Sequence, residues 1–228
     1  MKTHLENEQQ EIGEITQELD ALARSLDHKH RQQRKIQFLL DIRGYFIVNK
    51  IIGAYAEFGL YRGEMMYSAH KILRHSECIT QYIGLDTFSG EPSLTRNDQN
   101  SNPFLKVGDF LSDYEITRQF LTDHIGSTVR LIKGDFRIED VRQKFSTVMD
   151  IALCVIDCNL LSSIDAALQM AIPKMVPSSV LFMDDYFINM NKGKCETETL
   201  LRDICAANKR RLIEYKTYPP CSRAFLLL

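Results

Sequence analysis

The stretch Ala56-Glu57-Phe58-Gly59-Leu60-Tyr61-Arg62-Gly63 decides how the rest of the chain is read. Ala54, Tyr55, Ala56 and Phe58 have the make-up of a buried strand. That strand reaches an acid, Glu57, breaks at Gly59 and Gly63, and gives way to a helix-like run from Glu64. A strand that ends in a glycine turn and feeds a helix leaves unpaired N–H groups around a crevice, where a nucleotide-like ligand can sit. Such junctions are common in α/β proteins, so the weight comes from a second site. Asp157, in V-I-D-C-N, and Asp184–Asp185, in L-F-M-D-D-Y, each close an apolar strand-like run. In a parallel sheet those carboxyl ends meet on one edge, the edge that carries Gly59.

Around this stretch, apolar strand patterns fall near 54–59, 80–86, 128–133, 149–156, 178–184, 211–218 and 222–228. Helical patterns lie between them, at about 64–75, 112–125, 138–145, 162–175 and 196–209. Ser112 is an expected N-cap, with Glu115 three residues on completing a capping box. Alternating strands and helices, with continuously apolar strands, predict a parallel sheet covered on both faces. The end differs: R-L-I-E-Y-K-T-Y and S-R-A-F-L-L-L are separated only by Pro219, Pro220 and Cys221. That gap is too short for a helical crossover, so these two strands are expected to be antiparallel neighbours. Residues 88–111 form a long polar loop, of the kind that makes a lid or a disordered insertion.

Residues 1–40 have another character. Ile12, Ile15, Leu19, Leu22 and Leu26 recur by three and four, a helix with a narrow apolar seam that Lys29 interrupts. The seam suits a helix packed on its own domain or a short dimerising pair. The following stretch, from Arg31 to Ile52, reads as a second helical segment leading into the core.

The 228 residues suit one domain plus a small extension. Lys and Arg total 28 against 30 Asp and Glu, a net charge of −2, which argues against a general polyanion-binding surface and so against nucleic acid as a partner. No apolar run approaches the roughly 20 residues that span a bilayer, so no membrane role is expected. The start, M-K-T-H-L-E-N-E-Q-Q, lacks the apolar core of a signal peptide. The six cysteines are scattered without a CxxC pair, as in a cytoplasmic protein with reduced thiols.

Four stretches, in order, resemble the metal-dependent sugar O-methyltransferases of natural-product pathways, the macrocin and novobiocin O-methyltransferase family, which use S-adenosylmethionine (SAM). A-E-F-G-L-Y-R-G resembles the first SAM-binding motif. I-G-L-D-T-F-S-G-E-P resembles the signature of the second strand, and L-I-K-G-D-F the turn after the third. I-D-C-N-L-L-S-S-I-D-A-A-L with V-P-S-S-V-L-F-M-D-D-Y resembles the metal-binding half. The resemblance covers about 50–228. It implies an α/β, Rossmann-like class I methyltransferase fold: a seven-stranded, mostly parallel sheet with an antiparallel terminal hairpin and helices on both faces. It also implies a helical extension over 1–45 ahead of a methyltransferase domain over 46–228.

The resemblance implies site roles too. SAM would be held by Glu57, Phe58, Gly59, Tyr61 and Gly63 after the first strand, and by Asp86, Thr87 and Phe88 after the second. Gly134, Asp135 and Phe136 after the third strand and Asp157 after the fourth complete the set. Glu57 would face the methionine part, Asp86 the ribose hydroxyls, and Asp135 with Phe136 the adenine. Asp157, Asp184 and Asp185 would bind a divalent metal, Mg²⁺, because converging carboxylates need a cation with hard oxygen preference. The metal would lower the pKa of the acceptor oxygen. The acceptor would be a hydroxyl of a sugar or another small polar metabolite, closed over by the 88–111 loop and the N-terminal helix. A homodimer through residues 1–40 is a further expectation.

Three departures qualify this. The family often reads D-x-D at the end of the fourth strand, its second aspartate acting as general base; here Asn159 stands there, beside the catalytic candidate Asp157. An amide takes no proton at neutral pH. Leu161 and Ser162 replace the usual Tyr-Glu, and Pro177–Ser179 replaces P-G-G. The chain would then use another base, methylate a more acidic oxygen such as a carboxylate or phenol, or bind SAM as a non-catalytic homologue. His70, His75 and His124 are candidate bases, each in a predicted helix.

Overall fold

The computed structural model describes the backbone of residues 4–191 and 193–228, and the side chains of residues 27–191 and 193–228. The chain opens with one long helix, α1 (His4–Asn49). There follow β1 (Gly53–Phe58), α2 (Glu64–Leu73), β2 (Ile79–Asp86), α3 (Arg96–Ser101), α4 (Tyr114–Ile125), β3 (Val129–Lys133), α5 (Glu139–Phe145), β4 (Ile151–Ile156) and α6 (Leu161–Ala171). The rest comprises β5 (Met175–Met183), β6 (Met190–Asn191), β7 (Lys194–Cys195), α7 (Glu196–Ala207), β8 (Leu212–Tyr218) and β9 (Ser222–Leu227).

Seven strands form one sheet in the order β3-β2-β1-β4-β5-β9-β8. Pairing is parallel from β3 to β5, and β9 runs antiparallel to both β5 and β8. This is the fold expected of a class I methyltransferase, terminal hairpin included. β1 and β4 are buried at every position because helices cover both faces, which is why β4 reads as an unbroken apolar run and β1 as one interrupted only by Glu57. Alternation along β1 sends Ala54, Ala56 and Phe58 into the core under α5, α6 and α7, and Tyr55 into the core under α1, α2 and α4.

Several local expectations need correcting. The helix after Arg31 is not a second segment; α1 runs unbroken through Lys29. The seam Ile12, Ile15, Leu19, Leu22 and Leu26 has side chains outside the described residues. From Phe38 onward α1 is anchored: Phe38, Leu39, Ile42 and Phe46 are fully buried, and the Phe38 ring stacks on Phe182 of β5 at 4.2 Å between centroids. Asp41 of α1 accepts hydrogen bonds from Lys216 Nζ at 2.7 Å and from Tyr218 Oη at 2.8 Å, tying the helix to β8. The N-cap of α4 is Asp113, whose carboxylate accepts from the Ile116 N–H at 2.9 Å, rather than Ser112, whose buried hydroxyl has no partner among the described residues.

The 88–111 loop is ordered by a helix its sequence gave no apolar rhythm to announce. Thr95 and Asp98 form a capping box at α3. Asp98, 1% exposed, also accepts from the Ser162 N–H at 2.9 Å and the Ser162 hydroxyl at 2.8 Å, so it caps the first turn of α6 from 64 residues away. Burial alone would raise the Asp98 pKa, but these bonds and those from Thr95 outweigh it and lower it. Asp98→Ala removes the acceptor shared by the half-buried Ser162 donors and the Thr95 N–H. A loss of about 2–3 kcal/mol is expected, measured by urea unfolding; a loss under about 0.5 kcal/mol would mean that the bonds contribute little.

Candidate active site

The carboxyl ends of the parallel strands open into one cavity. Gly59 and Tyr61 line it after β1, Asp86 and Thr87 after β2, Asp135 and Phe136 after β3, Asp157, Cys158 and Asn159 after β4, and Asp184 and Asp185 after β5. The crossover direction reverses between β1 and β4, so the cavity sits at the topological switch point, the usual ligand crevice of open α/β sheets. Gly59 is required there. Its φ is +84°, and a Cβ would stand 2.0 Å from the Asp157 carbonyl oxygen. The Asp157 N–H donates to Phe58 O at 2.8 Å and the Gly59 N–H to Leu85 O at 2.9 Å, which clamp the ends of β1, β2 and β4 together.

Asp86 accepts the Phe88 N–H at 2.7 Å on one oxygen and the Tyr61 N–H at 2.8 Å on the other, so it ties the loops after β1 and β2. A carboxylate has about four lone-pair sites, leaving Asp86 able to accept more. Asp135 pairs with Arg137 at 2.8 Å, and Phe136 packs edge-on against Phe58 at 5.5 Å. Glu57, Phe58, Gly63, Phe88 and Gly134 do not line the cavity. They sit behind it: the Gly134 N–H donates to Asp86 O at 2.8 Å, and Glu57, 1% exposed, accepts from the Tyr55 hydroxyl at 2.5 Å.

Asp157, Asp184 and Asp185 all face this cavity, and a cation is present among them: the ammonium of Lys35. Lys35 Nζ lies 2.5 Å from Asp157 Oδ2 and 3.1 Å from Asp184 Oδ2, with a side chain 8% exposed. Burial would lower the Lys35 pKa, but the two aspartates outweigh it and raise it, so the ammonium is charged. Asp184 is also held by the Ser222 hydroxyl at 2.6 Å. Its pKa is lowered, because Lys35 and Ser222 overcome the desolvation. Among the described residues none hydrogen-bonds the Asp185 carboxyl, which burial and the neighbouring aspartates raise well above the ordinary carboxylate value. Among the described residues no three His, Cys, Asp or Glu side chains form a group that could hold a metal ion. Asn159 Nδ2 donates to Glu91 Oε1 at 2.6 Å, which brings a carboxylate from the 88–111 loop beside the amide.

The macrocin O-methyltransferase (TylF) family model matches residues 6–199, more than half of the sequence. The chain belongs to this family. Like the family, it is a SAM-dependent O-methyltransferase. A search of curated proteins finds no match. Among solved structures, the O-methyltransferase NovP is similar at a TM-score of 0.68 with 19% identity, over 85% of this chain and 79% of that one. CalS11, a calicheamicin methyltransferase, is similar at 0.63 with 20% identity, over 83% and 78%. At these identities the likeness speaks for the fold.

In this TylF-family chain the N-terminal helix and the 88–111 loop close over the cavity as expected, but the helix residues that do so were not among the expected site residues. His28, Arg31, Gln32 and Lys35 line the cavity from α1. Their spacing of three and four puts them on one helix face, which continues into the buried Phe38, Leu39, Ile42 and Phe46. A polar stripe in register with an apolar one was the available signal. Gln32 Nε2 donates to Glu64 Oε2 at 2.8 Å, and the loop adds Glu91, Pro92 and Phe110. None of His70, His75 and His124 lines the cavity.

Burial drives the Glu57 pKa up to about 8, against the lowering bond from Tyr55. Between the ordinary value of 4.5 and about 8 the folded chain holds a proton that the unfolded chain has released, so this group costs stability as pH rises through that window. Glu57→Gln removes the titration and keeps an acceptor for Tyr55. The variant is expected to gain about 2–4 kcal/mol on the wild type between pH 5 and pH 8, read from urea midpoints. A difference that does not change with pH would overturn this.

Proposed function

We propose that this protein transfers the methyl group of SAM to a hydroxyl of a sugar or another small polar natural-product-type metabolite. The observation that carries the proposal is the convergence of Gly59, Asp86, Asp135 and Asp157, from four neighbouring parallel strands, on one cavity at the switch point. Asp86 would accept the ribose hydroxyls, and Phe136 beside Asp135 would meet the adenine. Glu57 and the loop from Phe58 to Gly63 would shape the methionine end, with Thr87, Phe88 and Gly134 supporting the turns. Membership in the TylF family supports a sugar-type acceptor, and polar groups on α1 and on the 88–111 loop supply donors and acceptors for one.

In the transfer, an acceptor oxygen lone pair forms the O–CH₃ bond while the S–CH₃ bond breaks and its electron pair stays on sulfur. The chain's part is alignment, exclusion of water and removal of the hydroxyl proton. Asn159 cannot take that proton, but Glu91, held against it, can. Burial raises the Glu91 pKa over the lowering bond from Asn159, which makes this carboxylate a better base than an exposed one.

Magnesium at Asp157, Asp184 and Asp185 is the other expectation that the resemblance carries. With Lys35 between Asp157 and Asp184, the residues as they stand do not fit a bound divalent ion, and no step is routed through one. The test of function is a screen for S-adenosylhomocysteine release with nucleotide sugars, glycosides, phenols and carboxylic acids, in EDTA and in Mg²⁺. Turnover on a sugar hydroxyl is expected. Turnover confined to phenols or carboxylates would replace the sugar reading.

We also propose the division at about residue 45, a cytoplasmic location suited to the six free cysteines, and a homodimer through the N-terminal helix. Ile36, Leu40 and Ile47 support association, since they form an exposed apolar line along α1. A monomer by light scattering at tens of micromolar would remove the dimer. Among the described residues no helix is long and apolar enough to cross a membrane.

A further inference from the structure

We propose that Lys35 is the resident cation of the acceptor pocket, its ammonium standing where a divalent metal would bind between Asp157 and Asp184, and that methyl transfer by this chain needs no metal. This rests on the methyltransferase reading of the same site. Lys35 Nζ reaches Asp157 at 2.5 Å and Asp184 at 3.1 Å, and the residue is 7% exposed. It is not a mobile surface lysine. One turn further along α1, Phe38 is stacked on Phe182, and Asp41 is bonded to β8. The side chain is therefore delivered from a fixed point on the helix. A divalent ion entering between the same two aspartates would sit within a few ångström of this ammonium, at high cost in a buried site. One of the two would have to leave.

The ammonium has three N–H donors, and the two aspartates take at most two. The third can donate to the acceptor oxygen, stabilising the negative charge that develops as the proton leaves for Glu91. A hydroxyl proton thus ends on Glu91, the methyl on the acceptor oxygen, and the electron pair on sulfur; Lys35 remains protonated throughout. Lys35 is in this sense a catalytic residue, touching the reacting oxygen.

Metal binding reads this without the acceptor being known. Mn²⁺ is titrated into EDTA-stripped wild type, Lys35→Met and Lys35→Arg, followed by electron paramagnetic resonance, with circular dichroism to establish that each is folded. Wild type and Lys35→Arg are expected to bind no stoichiometric Mn²⁺ up to about 1 mM, and Lys35→Met to acquire a 1:1 site at least about tenfold tighter. Adding Asp184→Asn to Lys35→Met should remove that site. Stoichiometric binding by the wild type would overturn the proposal, because the metal would then displace the lysine. So would the absence of binding in a folded Lys35→Met, because the lysine would then not be filling a metal's place. SAM titration of the same samples keeps the two claims apart: a wild type that binds neither SAM nor metal contradicts the methyltransferase reading, not the metal result.

Discussion

Gly59→Ala is expected to destabilise the fold by about 2–4 kcal/mol and to weaken SAM binding at least about 100-fold. Two effects add. The left-handed φ of +84° disfavours any side chain, and the new Cβ would stand 2.0 Å from the Asp157 carbonyl oxygen. Relief would require β1 and β4 to separate where the Asp157 N–H meets Phe58 O, and that shift moves the floor of the cavity. Gly108→Ala is the control: its φ is +87°, but nothing lies within 4 Å of the added Cβ. It should lose about 1–2 kcal/mol from backbone conformation alone. Urea unfolding and calorimetric SAM titration check both. A Gly59→Ala protein as stable as Gly108→Ala, with wild-type SAM affinity, would show that the β1–β4 junction is not the cofactor floor.

Glu91→Gln is expected to lower turnover by about 10²–10³-fold while SAM affinity changes less than about threefold. The substitution keeps the size of the side chain and the backbone bonds that fix residue 91: its N–H donates to Asp109 O at 2.7 Å and its carbonyl accepts from Gly108 N at 2.9 Å. It removes only the ability to take a proton. Because burial raises the Glu91 pKa, wild-type kcat should fall on the acid side through a pKa above the ordinary 4.5. Asn159→Asp should not restore a missing base. It would replace the amide that now donates to Glu91 at 2.6 Å with a second carboxylate beside it and move that acid limb upward by about one pH unit or more. A Glu91→Gln enzyme that keeps wild-type kcat and pH profile would assign the proton to another group.

The sheet could be read from the sequence because its central strands are buried on both faces. β4 and the second half of β5 show as unbroken apolar runs, and β1 as one broken only by Glu57; each is followed by an acid or glycine that lines the cavity. The terminal hairpin followed from a connection too short for anything else. Helix α3 was not legible, since R-N-D-Q-N-S has no apolar rhythm, although the capping box Thr95–Asp98 before it was a usable sign. The β6–β7 pair is only two residues long on each side and left no pattern. Ser112 lost the cap of α4 to the neighbouring Asp113, a choice of one residue that the capping rule does not resolve. The deepest miss is Lys35. A lysine in a polar helix reads as solvated, and only the docking of α1 through Phe38 and Asp41 turns it into a buried ion-pair partner. Glu91 was hidden for a related reason: an acid in a long loop has no assigned neighbour until Gly108 and Asn159 fix it.

The most direct measurement is isothermal titration of SAM and S-adenosylhomocysteine into EDTA-treated protein, with Asp86→Ala alongside. Wild type should bind both 1:1 with micromolar affinity in the absence of metal, and Asp86→Ala, which loses the carboxylate at the end of β2, should bind at least about tenfold more weakly. Folded wild-type protein that binds neither compound would contradict the assignment of the cavity to SAM.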